Sequence, residues 1–252
     1  MKRRTAVRRP RRSRLVATVV LVLAAAGYIA FQLALPYYEE SPEARDALAS
    51  DSVVRVTEDT WIVMEPAEGE PEAGLIFYPG ARVSPRAYAP GLRDIAAQGY
   101  RVITVPMPLH LAFLGSQRAG DVRKAHPEID RWYVGGHSLG GAMAAAYVSG
   151  SPDTAGLVLW AAYPGGGTDL SDWDGKVLVV SGSEDGLADP SKIEAAQPLL
   201  PPQAIYAVIE GGSHAQFGSY GEQRGDGQPT ISRSQQHQEI AQHTVEFLAQ
   251  PE

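Results

Sequence analysis

The stretch YVGGHSLGGAMAAAYV, residues 133–148, decides how this chain is read. It opens on aromatic, β-branched and glycine residues and closes on an alanine-rich run, so it reads as a strand passing directly into a helix. Ser138 stands at the junction, with Gly136 and Gly140 two places to either side. A G-x-S-x-G string is too short to carry meaning alone. Its weight depends on whether the flanking chain supplies the strand before it and the helix after it.

Short β-branched or aromatic runs recur on both sides of the junction: 52–57, 60–66, 74–80, 100–106, 131–137, 156–163, 176–182 and 204–212. Several are continuously apolar, the pattern of parallel strands covered on both faces. From the third run onward, helical patterns fill the gaps, at about 85–98, 116–126, 139–149, 190–199 and 233–249. Two strands followed by repeated strand–helix units predict an α/β fold: a mostly parallel sheet of about eight strands with helices on both faces, over residues 52–252. There is no internal repeat and no low-complexity segment.

Within this frame Ser138 follows the fifth strand and precedes a clean helix. A sharp strand-to-helix turn strains the serine backbone and lifts its Oγ clear of the sheet, leaving no room for side chains at Gly136 and Gly140. The helix start beneath it offers free N–H groups and a positive dipole end. GHSLGG in this position resembles the nucleophile elbow of the α/β-hydrolase superfamily, and the resemblance covers about residues 52–250. The other reading of the junction is a structural turn.

A serine needs a base, and the base needs an orienting acid. The superfamily order Ser, Asp/Glu, His implies an acid after a late strand and a histidine after the last one. Asp185 lies just past the seventh strand in VVSGSEDGLADP and His214 just past the eighth in VIEGGSHAQFG, both at carboxyl ends of strands, where open α/β sheets build their sites. Glu184 and Asp189 are the neighbouring acids, and Asp189 also suits the cap of the helix opening at Pro190. Asp169, Asp172 and Asp174 after the sixth strand are a further set. His237 and His243 fall in a polar terminal helix and read as solvated. His126 matches no strand end.

For the oxyanion hole the resemblance implies the backbone N–H of Leu139, after the nucleophile, and that of Ala81 in the FYPGARVSP loop, with Arg82 as the alternative. Arg82 and His110 are candidate substrate-binding residues; a solvated loop charge is the other reading of Arg82. Only PGGGTDLSDWDG separates the sixth and seventh strands, too little for a helical lid. In size and lack of a lid the body resembles dienelactone-hydrolase-like and carboxylesterase members, although it offers Ser where dienelactone hydrolase has Cys. The segment 215–232 is long, glycine-rich and polar. Its Glu222 and Asp226 fit no Ca²⁺ loop.

Charge narrows the partners. The chain has 252 residues and a net charge of -7, but eight of its 22 basic residues lie in the first fourteen positions, where there is no acid. The remainder holds 14 basic against 29 acidic residues, which argues against nucleic acid as a partner. There are no cysteines, hence no disulfide, no thiolate metal ligand and no thiol nucleophile. Residues 15–35 carry no charge; 21 residues of helix span about 31 Å, close to a bilayer core of about 30 Å. The expected organisation is a basic cytoplasmic tail at 1–14, a transmembrane helix at 15–35, an acidic linker at 36–51 and the hydrolase domain at 52–252. That makes a single-pass membrane protein with its domain on the extracytoplasmic side; a cleaved signal peptide and secretion are the alternative. The expected activity is cleavage of an ester, lactone or thioester in a small molecule by a Ser138–Asp185–His214 triad, with no cofactor and no metal. A peroxidase-like reaction on the same residues and a membrane-tethered binding domain are the rivals.

Overall fold

The buried run GLIFY at 74–78 sets the architecture: alternate side chains enter different cores. Leu75 and Phe77 join one hydrophobic cluster, Ile76 and Tyr78 another. A strand with two apolar faces must be covered on both. The computed structural model describes residues 11–34 and 36–250 and divides the chain into two units, Met1–Tyr37 and Tyr38–Glu252.

In the second unit, eight strands form one sheet: β1 (Val54–Glu58), β2 (Ile62–Pro66), β3 (Gly74–Tyr78), β4 (Arg101–Thr104), β5 (Trp132–His137), β6 (Gly156–Trp160), β7 (Lys176–Gly182) and β8 (Ile205–Ile209). Their order is β1-β2-β4-β3-β5-β6-β7-β8. β2 runs antiparallel to both its neighbours, β1 and β4, and all pairings from β4 to β8 are parallel. The helices of this unit are α2 (Pro42–Asp46), α3 (Ala89–Ala96), α4 (Arg118–Ala125), α5 (Leu139–Val148), α6 (Pro190–Ala196) and α7 (Arg233–Leu248). Leu92 and Ile95 of α3 pack with Ile240 and Phe247 of α7 against one face. Val122 of α4, Ala145 of α5 and Ile193 of α6 cover the other. The β6–β7 connection contains no helix.

The first unit holds the helix α1 (Arg11–Ala34). Among the described residues, no helix is long and apolar enough to cross a membrane. Residues 1–10 of the expected basic tail and Leu35 at the end of the expected span lie outside the described residues.

Two segments differ from their sequence reading. The acidic 36–51 stretch, expected as a linker, forms the short helix α2 and packs on the domain from Tyr38 onward. Ala44 is fully buried, Glu40 accepts a hydrogen bond from Ser84 (2.7 Å), and Arg93 donates to the carbonyls of Ala47 and Ala49. His237, expected to be solvated, is 6% exposed, because α7 lies against α3 where Gly91 leaves room for it.

Burial, reinforced by Arg233, holds the His237 pKa down at about 4, against an ordinary 6.5. The unfolded chain therefore takes up this proton first as pH falls. His237 contributes its full stabilisation above about pH 6.5 and loses it as the pH approaches 4. The gap corresponds to about 3 kcal/mol. His237→Gln is expected to lose that part of the acid sensitivity, read as a smaller fall in urea midpoint between pH 7 and pH 4.5 than in the parent chain.

Candidate active site

Ser138 leaves β5 with φ 52° and ψ -122°, a conformation that costs a residue bearing a Cβ about 1–3 kcal/mol. Its amide is anchored to the Trp160 carbonyl of β6 (3.0 Å). The close packing of the turn depends on the glycines. A Cβ at Gly136 would lie 2.6 Å from the Tyr78 carbonyl oxygen, and one at Gly140 would lie 2.5 Å from that of Pro79 and closer still to that of Tyr78. The body these glycines clear thus includes the exit of β3, beyond the turn itself. Leu139 opens α5, so its N–H belongs to the group that a helix start leaves without an intrahelical partner.

Asp185 and His214 meet although 29 residues separate them in sequence. The His214 Nδ1 lies 2.8 Å from Asp185 Oδ2, and both residues are at most 3% exposed. The other Asp185 oxygen accepts the amides of Leu187 (2.8 Å) and Ala188 (2.7 Å), which fixes the plane of the carboxylate. On the histidine side Gln236, fully buried in α7, brackets the preceding residue. Its Oε1 accepts from the Ser213 amide and its Nε2 donates to the Ser213 carbonyl. Ser138 and His214 line one cavity of about 290 Å³, whose other walls include Ala142, Ala161, Tyr163, Leu187 and Gln223.

The remaining candidates lie elsewhere. Asp189 caps α6 through the amides of Ser191 and Lys192. Glu184, Asp169, Asp172 and Asp174 are exposed, and His126 packs near the rings of Trp61 and Trp132. Neither Arg82 nor His110 lines the cavity beside Ser138. Arg82 is 5% exposed, its guanidinium reaches the Leu109 carbonyl (3.4 Å), and its backbone amide donates to the His110 carbonyl (2.7 Å). That last bond commits the Arg82 N–H and leaves Ala81 as the candidate donor of that loop. Burial and the nearby Arg82 charge push the His110 pKa down.

A second histidine enters the neighbourhood unannounced. The ring of His137, completely enclosed, lies 4.4 Å from that of His214 and stacks on Phe217. Its Nδ1 is 2.9 Å from the Tyr88 hydroxyl, which also accepts the Gly80 amide at 2.9 Å. Burial, with the adjacent His214, holds the His137 pKa well below the ordinary histidine value. Sequence reading misses Tyr88, Tyr163, Gln223 and Gln236. Each reaches the site through tertiary packing, and no local pattern marks it.

The profile described as "Alpha/beta hydrolase family" matches residues 74–238, well over half of the chain. A search of curated proteins finds no match. Among solved structures, the chain is similar to a predicted CIB-like hydrolase from Thermoplasma acidophilum, at 16% identity and a TM-score of 0.59, over 77% of this chain and 98% of that one. It is also similar to a thermophilic esterase from the Planctomycetes species Thermogutta terrifontis, at 13% identity and a TM-score of 0.54, over 78% and 92% of the two chains. A third, at 16% identity and a TM-score of 0.55 over 77% and 97%, is an alpha/beta hydrolase enzyme from the metagenome of sediments from the lagoon of Mar Chica, Morocco. At these identities the likeness speaks to the fold alone.

Proposed function

The chain belongs to the alpha/beta hydrolase family, and on that premise we propose that it is a serine hydrolase of small, uncharged esters. The observation that carries the reading is the buried His214–Asp185 contact of 2.8 Å, with His214 sharing a cavity with the strained Ser138. Ser138 Oγ attacks the ester carbonyl while His214 Nε2 takes its proton. Asp185 Oδ2 accepts from Nδ1–H, which fixes the tautomer and stabilises the imidazolium. The backbone N–H groups of Leu139 and Ala81 receive the oxyanion. His214 returns the proton to the departing alkoxide, and a water molecule, activated in the same way, releases the acid from Ser138. The route needs no cofactor.

The cavity supports the substrate class. Apart from His214 its walls carry no ionisable acid or base short of the Tyr163 phenol, and four of them are alanines, Ala142, Ala161, Ala162 and Ala188. This favours a neutral substrate with a short acyl chain, as does the resemblance to lidless carboxylesterase and dienelactone-hydrolase-like members, since no helix stands between β6 and β7. The full-length chain is expected to react with a fluorophosphonate probe at Ser138 and to cleave p-nitrophenyl acetate and butyrate faster than the decanoate. Absence of labelling in the parent chain, or undiminished hydrolysis in Ser138→Ala, overturns the proposal.

Residues 15–35 are proposed as an N-terminal membrane anchor that leaves the hydrolase domain outside the cytoplasm, on the strength of the uncharged run and the eight basic residues before it. The chain is expected to stay with the membrane fraction through a carbonate wash. A soluble product whose mature N-terminus lies near Phe31 overturns this.

A further inference from the structure

Asp226, in the long segment after His214, is held by four backbone amides drawn from three places in the chain. Its Oδ1 accepts from His214 (3.1 Å), Gly186 (3.2 Å) and its own neighbour Gly227 (2.8 Å), and its Oδ2 accepts from Ala215 (2.7 Å). Gly186 immediately follows Asp185. One carboxylate therefore ties the backbone bearing His214 to the backbone bearing Asp185. Hydrogen bonds to an ionised acceptor are shorter and stronger than neutral ones, so four of them make a stiff joint. The same segment presses on the acid loop at a second point: Gly227 lies so close to the Glu184 carbonyl that a Cβ there has no space.

We infer that Asp226 is a positioning residue for the reaction, setting the separation and angle of the His214–Asp185 pair by clamping the two loops that carry them. The inference rests on the hydrolase reading above. Asp226 does not line the cavity shared by Ser138 and His214, so its influence passes through the backbone and not through substrate. Both its oxygens face N–H donors, the opposite of what a cation site requires, and among the described residues there is no cluster able to hold a metal ion. The 215–232 segment thereby acts as a strap across the two strand ends, with Asp226 as its fastening.

Misplacing a catalytic group by about 1 Å costs about 100-fold in rate. With the full-length chain and p-nitrophenyl acetate, Asp226→Ala is therefore expected to lower kcat by about 100-fold. Asp226→Asn, which keeps the Oδ1 acceptor and loses Oδ2, is expected to cost about 10-fold. In both, KM stays within about threefold and the rate of fluorophosphonate labelling falls with kcat, while the final labelled fraction is unchanged. A kcat per labelled site equal to the parent's in both variants overturns the inference, and so does a raised KM with kcat preserved. If Asp226→Ala fails to fold, the asparagine variant alone decides by the same criteria. If the parent chain neither labels nor hydrolyses esters, the hydrolase reading has failed independently. The clamp is then read from hydrogen exchange at the Gly186, His214 and Ala215 amides: faster exchange in Asp226→Asn supports it, and unchanged exchange overturns it.

Discussion

Ser138→Ala is expected to lower kcat for p-nitrophenyl acetate by at least about 10⁴-fold, with KM held within about threefold. Removing the hydroxyl deletes the proposed nucleophile and leaves the cavity walls and both proposed oxyanion donors in place, so binding survives while chemistry stops. Folding gives a separate readout. Alanine keeps a Cβ at φ 52° and therefore keeps the backbone strain. Ser138→Gly is equally inactive but sheds the strain, worth about 1–3 kcal/mol, against the entropy that a glycine costs, about 0.5–1 kcal/mol. The glycine variant should thus unfold at a higher urea concentration than the alanine variant. An alanine variant with parent-like kcat ends the serine mechanism, and equal midpoints for the two variants remove the strain argument.

Gly140→Ala is expected to damage the fold and the activity together. The added methyl meets the Tyr78 and Pro79 carbonyl oxygens, both rigid backbone at the exit of β3, so the loop carrying Ala81 has to move off the elbow. Overpacking of this kind costs about 3 kcal/mol, and the displaced loop takes the proposed second oxyanion donor, the Ala81 N–H, with it, a loss of about 10²–10³ in kcat. Gly150→Ala, at the far end of α5, is the control: its nearest neighbour would be the Tyr147 carbonyl at an ordinary 3.8 Å. Its urea midpoint should stay near the parent's, within about 0.5 kcal/mol. Equal behaviour of the two variants, by urea titration and ester assay, removes the steric argument for the elbow.

What is legible in the sequence is what is local. All eight strands and the five helices from α3 onward lie within a few residues of their expected places, because apolar runs, glycine turns and helix starts are written into adjacent positions. The strand ends are less legible. The run at 156–163 reads as strand to its end, but Ala161 turns to φ 45° and β6 stops at Trp160. Ser138, Asp185 and His214 stand out as candidates for the same local reason: each follows its own strand. The groups that hold them do not. Asp226 gathers amides from positions up to 40 residues away, Gln236 reaches Ser213 from the last helix, and His237 is buried by a helix from the first half of the domain. These contacts exist only once the sheet has closed, and in the sequence their residues look like ordinary surface polar groups.

The Tyr88 hydroxyl has a consequence for proton traffic. The Gly80 amide can only donate, so it occupies a lone pair of the Tyr88 oxygen, and the phenolic hydrogen is free for His137 Nδ1. With the phenol donating in this direction, the proton of the neutral His137 ring rests on Nε2 and Nδ1 has no capacity to take another. Two imidazoles thus sit side by side near Ser138, but in this arrangement His137 is closed off at Nδ1 by a phenol that a backbone amide holds in place. In the proposed reaction the proton from Ser138 has one place to go, and the choice between two chemically equivalent rings is made by a tyrosine that touches neither substrate nor nucleophile.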